Sequence, residues 1–391
     1  MKPITEDFGW TRGQYASGMA IGSLIGGFLA IGIGPLIDRY GARWILTTAA
    51  FIVGGTVVCT SFVTSFWQFF LLQIFARSIN QGVVSLAMQV IIPKWFVRKR
   101  GRAVAFGSIG NAIGNSGTPL FSQLFISWLG WRHALLILGS SVWAITLLPI
   151  WFFLRRSPED IGLLPDGEQE ESRGKRSTGN ERDSGEPGVL ENSLTVRQVL
   201  RHRSLYLLLV AFTLASLVGS SLYLHIIPYL SDKGMSPGAA VMVMAVLSSS
   251  SVIGALVLGF AVERYSARYL LSVGFLRAAV SYIILLNVTT PVVALFWAVY
   301  LGVLNGGMQT LTQVIYADYY GSRSLGAIRG LNAPAQMGAN SLGPLAAAVA
   351  FDYRGDYFLI FALYGILLVF SSLSIFLARP PVNVAASRSK A

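Results

Sequence analysis

Apolar residues arrive along this chain in runs of about twenty, separated by short polar turns, and runs of that length predict helices rather than strands. A hydrocarbon core about 30 Å thick needs roughly 20 apolar residues per spanning helix. Eleven such runs fall at 14–37, 44–64, 67–92, 103–127, 133–154, 204–230, 237–262, 269–288, 292–317, 328–351 and 357–378. The stretch before the first run, Met1 to Arg12, is polar and lacks the apolar centre of a signal peptide. Residues 155–203 break the rhythm with a Gly, Ser, Glu and Arg-rich stretch that cannot form a packed core and reads as a linker. Its end, Leu194 to Arg203, has the pattern of a short amphipathic or solvated surface helix.

The pattern repeats. Residues 34–43 read Gly-Pro-Leu-Ile-Asp-Arg-Tyr-Gly-Ala-Arg, and residues 259–268 read Gly-Phe-Ala-Val-Glu-Arg-Tyr-Ser-Ala-Arg, an offset of 225. The same offset carries Asn80 and Gly82 onto Asn305 and Gly307, Gly101 onto Gly326, Asn115 and Ser116 onto Asn340 and Ser341, Pro119 onto Pro344, and Gly130 onto Gly355. A constant offset over about a hundred residues says that two halves share one architecture without insertions. It also measures a difference: 55 residues precede the charged turn in the second half, from Ser204 to Gly259, but 33 precede Gly34 in the first. The shortfall of 22 is one membrane span, so the design reads as six helices plus six with the first absent. On that reading the N-terminus starts outside, and a shifted start codon or truncated gene is expected over a native eleven-helix design.

Charge fixes which side the turns face. Of the 30 basic residues, 23 fall in one alternate set of loops and the C-terminal tail, five in the opposite set, and Arg77 and Arg277 within helices. This asymmetry puts the first set, with the linker and the tail, in the cytoplasm of a multi-pass protein of the cell membrane. Residues are 53% hydrophobic and 12% charged. Although the net charge is +12, the basic residues sit in short loops between apolar runs, which argues against a nucleic-acid partner. Cys59 is the only cysteine and there are three histidines, so neither an intrachain disulfide nor a cysteine-rich metal site is expected. No cofactor and no enzyme activity are expected either. Walker-type glycine loops are missing, and no nucleophile, base and orienting acid share a recognisable spacing.

Several polar residues lie inside the apolar runs. Gln73, Arg77, Asn80 and Gln81 share one face at spacings of three and four, with Arg77 roughly 15 Å deep, near the midplane. An unpaired midplane guanidinium costs several kcal/mol, so Arg77 is either a cavity-facing functional residue or a structural tie between helices. Asn305, Gln309, Thr312 and Tyr316 line a face of the sister segment, while Asn111, Asn115, Gln336 and Asn340 punctuate the runs at 103–127 and 328–351. Such faces suit a wet pathway, although each amide alone serves equally as interhelical glue. His225, one turn before Pro228, is a titrating or outer-gate candidate beside its reading as a packing histidine. Gly18, Gly22 and Gly26 recur every four residues, the spacing of a close helix contact. None of the 18 acidic residues falls mid-segment, so a proton-carrying carboxylate has no visible candidate.

These features resemble the major facilitator superfamily. The segment Gly34 to Arg43 looks like that family's loop between its second and third helices, and Gly259 to Arg268 like the weaker echo between the eighth and ninth. Phe8-Gly9-Trp10, Gly130-Trp131-Arg132, Ser157 to Gly167 and His225 to Tyr229 resemble the branch of monocarboxylate porters and oxalate/formate antiporters. The resemblance implies an all-α membrane fold of two six-helix bundles in parallel pseudo-repeat, here with eleven transmembrane helices. Residues 1–154 would form the N-terminal bundle, 155–203 the linker, 204–378 the C-terminal bundle and 379–391 the tail. It further implies that Asp38, Arg39 and Arg43 form an inter-half cluster stabilising the outward-open state. Gly34, Gly41, Glu263, Arg264 and Arg268 complete the gating motif. The branch's anion carriers are expected to hold an arginine in helix 8, and the oxalate carriers a lysine in helix 11. This chain has Ser248 to Ser251 and no such lysine.

The expectation is a secondary transporter of a small organic solute, with a mono- or dicarboxylate as candidate cargo and a proton or counter-anion as candidate partner. Arg77, Asn80, Gln81, His225, Asn305 and Gln309 would meet the substrate. A non-transporting receptor or interaction protein on the same scaffold is the alternative.

Overall fold

The computed structural model describes Phe8, residues 12–155 and residues 194–381. Among them all eleven predicted segments are helical. In chain order the helices are α1 (Arg12–Tyr40), α2 (Ala42–Thr60), α3 (Phe66–Trp95), α4 (Arg100–Val142) and α5 (Leu148–Phe153). There follow α6 (Val196–Val199), α7 (Arg203–Asp232), α8 (Pro237–Ala261) and α9 (Ala267–Leu286). The chain ends with α10 (Pro291–Tyr320), α11 (Leu325–Arg354) and α12 (Phe358–Leu377). Nine stretches among the described residues are long and apolar enough to cross a membrane. The other two segments, 103–127 and 328–351, form helices within α4 and α11 without reaching that apolarity. The amides and small residues that marked them as polar-faced lower their hydropathy.

Local chemistry accounts for the ends. Pro237 and Pro291 occupy first helical positions behind Ser236 and Thr290, whose hydroxyls accept from the amides of Ala239 and Val293. Gln68 reaches back to the Thr64 and Ser65 amides at the start of α3. Gly130 and Gly355, matched by the 225-residue offset, both take left-handed backbone (φ 77° and 72°), and at Gly130 the chain bends within α4.

The chain divides into two compact units. Among described residues the first holds 12–95, 113–155 and Ser324–Pro334, and the second Phe96–Ala112, 194–323 and 335–381. Each half therefore lends the beginning of one long helix, α4 or α11, to the other unit.

In the first unit α1 crosses α3 through Gly18, Gly22 and Gly26, the stripe expected to pack. A Cβ on Gly26 would lie 2.9 Å from the Ser78 carbonyl oxygen, and one on Gly82 would lie 2.4 Å from that of Gly26. Such backbone contact suits helices in lipid, where burial of apolar area gives no drive for association. The second arm of α4 and the π turn after it meet α2 where Trp143 stacks on Phe51 (5.5 Å) and donates to the Phe51 carbonyl (3.0 Å). Arg132 donates to the Ser61 and Val63 carbonyls just beyond α2.

The second unit is tied by phenols and an indole on backbone carbonyls. Tyr229 donates to Leu285, Trp297 to Ser281 and Tyr364 to Gly343, at 3.0, 2.9 and 2.8 Å. Ser272 and Ser372 exchange reciprocal hydroxyl-to-carbonyl bonds between α9 and α12. Short α6 docks through Leu194 and Val199, both buried, with the Leu194 amide on the Tyr320 carbonyl. The related segments differ in cover: 39% of the Phe358–Leu377 window is buried, against 6% for Leu124–Phe152. Helix α7 packs on α12, whereas α2 packs on the segment 133–154.

Helices α8 and α10 approach still more closely, since a Cβ on Gly306 would sit 1.7 Å from the Ser251 oxygen, whereas one on Gly338 meets nothing within 4 Å. We expect Gly306→Leu to lower the melting midpoint of the purified protein by several degrees, through about 1–3 kcal/mol or more of overpacking. Gly338→Leu should leave it within about one degree. Equal shifts would show that the glycine crossing is not what holds the pair.

Candidate functional site

Two constellations emerge among the polar residues, one at the charged turns and one deep in α3. Each is built from a backbone feature first.

At the first charged turn, Gly34 on α1 meets Gly326 on α11 so closely that a Cβ on Gly34 would fall 2.2 Å from the Gly326 oxygen. One turn on, Asp38 accepts from the Gly326 amide (3.1 Å) and the Ala327 amide (2.8 Å). Those amides belong to the first turn of α11, where N–H groups lack intrahelical acceptors and the helix dipole is positive. Lys94, at the end of α3, completes the site with its Nζ 2.8 Å from Asp38 Oδ1. The three-residue cluster expected from the resemblance does not assemble. Arg43 instead donates to the Trp151 carbonyl (2.7 Å) and lies over that indole, and exposed Arg39 lies over Tyr40. Gly41, also in the motif, takes φ 80° and separates α1 from α2.

The second turn repeats the backbone arrangement with exchanged partners. Gly259 on α8 meets Gly101 on α4, and a Cβ on Gly101 would lie 2.1 Å from the Gly259 oxygen. Since 34 and 259 differ by 225, as do 101 and 326, one glycine pair is the repeat image of the other. Here Glu263 takes Arg102 Nε at 2.8 Å, and nearby Arg100 pairs with Asp318 at 3.0 Å, both side chains nearly buried. Arg268 donates to the Tyr269 hydroxyl, and Arg264 is exposed.

In α3 a π turn occupies Asn80–Val84, with the Ser85 amide reaching the Asn80 carbonyl five residues back. The Asn80 amide still reaches the Ala76 carbonyl, so Gln73, Arg77 and Asn80 keep their three-and-four spacing, and the widened geometry turns what lies beyond them. π turns inside helices are frequent at functional sites. Just before it, Arg77 Nε donates to Ser23 Oγ on α1 at 3.0 Å, and Ser23 in turn bonds the Met19 carbonyl. Among the described residues Arg77 has no carboxylate partner. Asn80 is exposed and Gln81 half-buried.

The candidates in the second unit divide. Asn305 is half-buried near Tyr223 of α7, and Gln309 is exposed. Tyr316 is wholly buried, with its ring packed beside Phe212 and Tyr320. His225 has both ring nitrogens occupied, Nε2 by the Pro344 carbonyl at 3.0 Å and Nδ1 by the Tyr357 hydroxyl at 3.2 Å. A carbonyl facing Nε2 requires that nitrogen to carry a proton and to donate. Gln336 and Asn340 are on α11, half-buried and exposed respectively. The Asn111 and Asn115 side chains lie outside the described residues.

Ser23, Lys94, Tyr223 and the Arg100–Asp318 pair were not singled out from the sequence. Lys94 had a signal, since it closes the same apolar run that contains Arg77.

The family model described as Major Facilitator Superfamily matches this chain over residues 1–344 and again over 214–391. The chain is similar to the aspyridones efflux protein of Emericella nidulans, 24% identical over 325 residues, which cover 82% of this chain and 60% of that protein. It is also similar to monocarboxylate transporter 2 of Homo sapiens, 21% identical over 352 residues that cover 86% of this chain and 71% of that protein. Among solved structures it resembles a proton:xylose symporter bound to 6-bromo-6-deoxy-D-glucose, with a TM-score of 0.69 at 16% identity over 92% of this chain and 84% of the other.

Hydrogen bonds to a charged acceptor are worth about 1.5–3 kcal/mol, so Asp38→Ala should speed hydrogen exchange at the Gly326 and Ala327 amides by roughly 10- to 100-fold. Unchanged protection of those two amides would remove Asp38 as the anchor of α11.

Proposed function

Because the chain belongs to the Major Facilitator Superfamily, whose members are transporters, we propose that it moves a small organic anion, a mono- or dicarboxylate, by alternating access. The observation that carries this reading is Arg77. It lies deep in a membrane-spanning helix, its Nε is committed to Ser23, and among the described residues no carboxylate neutralises it. An intramembrane guanidinium without a protein counter-charge favours an anionic ligand, and its two terminal nitrogens match a carboxylate in bidentate fashion. The similarity to a monocarboxylate transporter supports the same cargo. Asn80 and Gln81, next along α3, are the candidates to supply hydrogen bonds to the remainder of the solute, and Asn305 and Gln309 are the equivalent candidates on α10.

In this reading the two charged turns act as gates. Gly34, Asp38, Arg39, Gly41 and Arg43 serve one, Glu263, Arg264 and Arg268 the other, and the bonds from the Gly326 and Ala327 amides to Asp38 are those that open and close. The lysine and arginine asymmetry supports a cytoplasmic position for both turns, the linker and the C-terminal tail, in a protein of the cell membrane. His225, held between Pro344 and Tyr357, fastens α7 to α11 and to the start of α12 and thereby shapes the outer end. Movement of a proton with the solute, or exchange for a counter-anion, supplies the driving force.

The test is uptake of labelled mono- and dicarboxylates into proteoliposomes, with and without a pH gradient. Removing one member of a desolvated charge pair costs about 2–5 kcal/mol, so Arg77→Ala should lower kcat/KM for the transported anion by roughly 30-fold or more. Arg77→Lys keeps the charge without the planar fork and should fall between. Wild-type kinetics in Arg77→Ala, or no uptake of any carboxylate by the unaltered protein, would overturn the anion reading.

A further inference from the structure

An apolar groove of about 460 Å³ runs between α1 and α2 over a floor from α3, and none of the polar candidates lines it. Along α1 its wall is Leu29, Ile33, Leu36 and Tyr40, and Trp44 and Thr48 face them from α2. From Leu29 to Tyr40 is eleven residues, or about 16 Å of helix at 1.5 Å per residue, which matches half of a roughly 30 Å hydrocarbon core. The groove thus has the length of one leaflet. Tyr40 and Trp44 at its end are more than half exposed and are the residue types that settle at the membrane interface.

Two cations flank that end. Arg39, next to Tyr40, lies over its ring at 5.3 Å and makes no ion pair among the described residues. Arg43, next to Trp44, holds the Trp151 carbonyl through Nη2, and Trp151 itself packs edge-on against Trp44 at 5.2 Å. The Nε of Arg43 is buried and without a hydrogen-bond partner. The only carboxylate in this turn, Asp38, is already committed to Lys94 and to two α11 amides. An apolar slot one leaflet long, with interfacial aromatics and unneutralised guanidinium groups at its end, selects a molecule with a long hydrocarbon chain and an anionic head.

We propose that this groove binds one anionic phospholipid from the leaflet facing the charged turns, its acyl chain along α1 from Tyr40 to Leu29 and its phosphate on Arg39 and Arg43. The site is separate from the proposed transport pathway. It gives the two arginines of the first charged turn, neither of which joins Asp38, a lipid phosphate as partner beside their place in the proposed gate. Anionic lipids concentrate on the cytoplasmic leaflet, where the basic asymmetry puts this turn.

Native mass spectrometry of the full chain in detergent, given equimolar phosphatidylglycerol and phosphatidylcholine, tests the proposal. The unaltered protein should retain one phosphatidylglycerol in clear preference to phosphatidylcholine. The R39Q/R43Q double variant should lose roughly fivefold of that preference per arginine. Thr48→Trp fills the groove from an exposed position without touching either arginine, and should abolish retention of that one lipid while the melting midpoint stays unchanged. Equal retention of the two lipids by the unaltered protein, undiminished preference in R39Q/R43Q, or undiminished retention in folded Thr48→Trp would each overturn it.

Discussion

Within each unit the architecture depends on backbone meeting backbone. Lipid tails are as apolar as leucine, so two helices gain little in a membrane by hiding apolar side chains from lipid, and close packing with internal hydrogen bonds must do the work. Here close approaches at glycines include Gly26 with Gly82, Ser251 with Gly306, Gly34 with Gly326 and Gly101 with Gly259. The last two come from residues related by the repeat. A single ancestral contact therefore appears twice, each copy joining a charged-turn helix of one half to the long helix of the other half. This is why residues 96–112 and 324–334 cluster away from their neighbours in sequence.

Polar chemistry sits on these crossings. Asp38 can reach the amides of Gly326 and Ala327 because Gly34 lets the α11 backbone come within touching distance, and Lys94 then neutralises the carboxylate. Removing the crossing would remove the acceptor from the helix start. In the second copy Glu263 turns to Arg102 rather than to backbone amides. The longer acid and a different basic neighbour convert the same backbone contact into a side-chain ion pair, so the two turns are alike in packing and unlike in electrostatics.

Much of this was legible in the residues. Run lengths give the eleven helical segments, and the 225-residue offset gives the internal repeat. What stayed hidden depends on through-space partners that no spacing reports. The offset paired Gly101 with Gly326 as equivalents, whereas the contacts pair Gly34 with Gly326 and Gly101 with Gly259, crosswise between the halves. Helical periodicity put Tyr316 on a polar face, but its ring packs between Phe212 and Tyr320, where aromatic burial outweighs the hydroxyl. Counting by threes and fours holds as far as Asn80 and gives no sign of the π turn that begins there, because no single residue type marks one. The first-turn arginines were read by resemblance as partners of Asp38, and the indole and carbonyl of Trp151, 108 residues away, claim Arg43 instead.

That π turn also sets an angle. A regular α-helix advances about 100° per residue, and a π turn accommodates one extra residue within a turn, so everything beyond it is rotated by about that amount relative to an unbroken helix. In α3 the turn at Asn80–Val84 lies between Arg77, fixed to Ser23, and Lys94, fixed to Asp38. The azimuth of the lysine relative to the arginine is therefore written into five residues of widened helix. Straightened into a regular helix with Arg77 held in place, α3 would carry Lys94 about a quarter of a turn round the axis, away from its carboxylate.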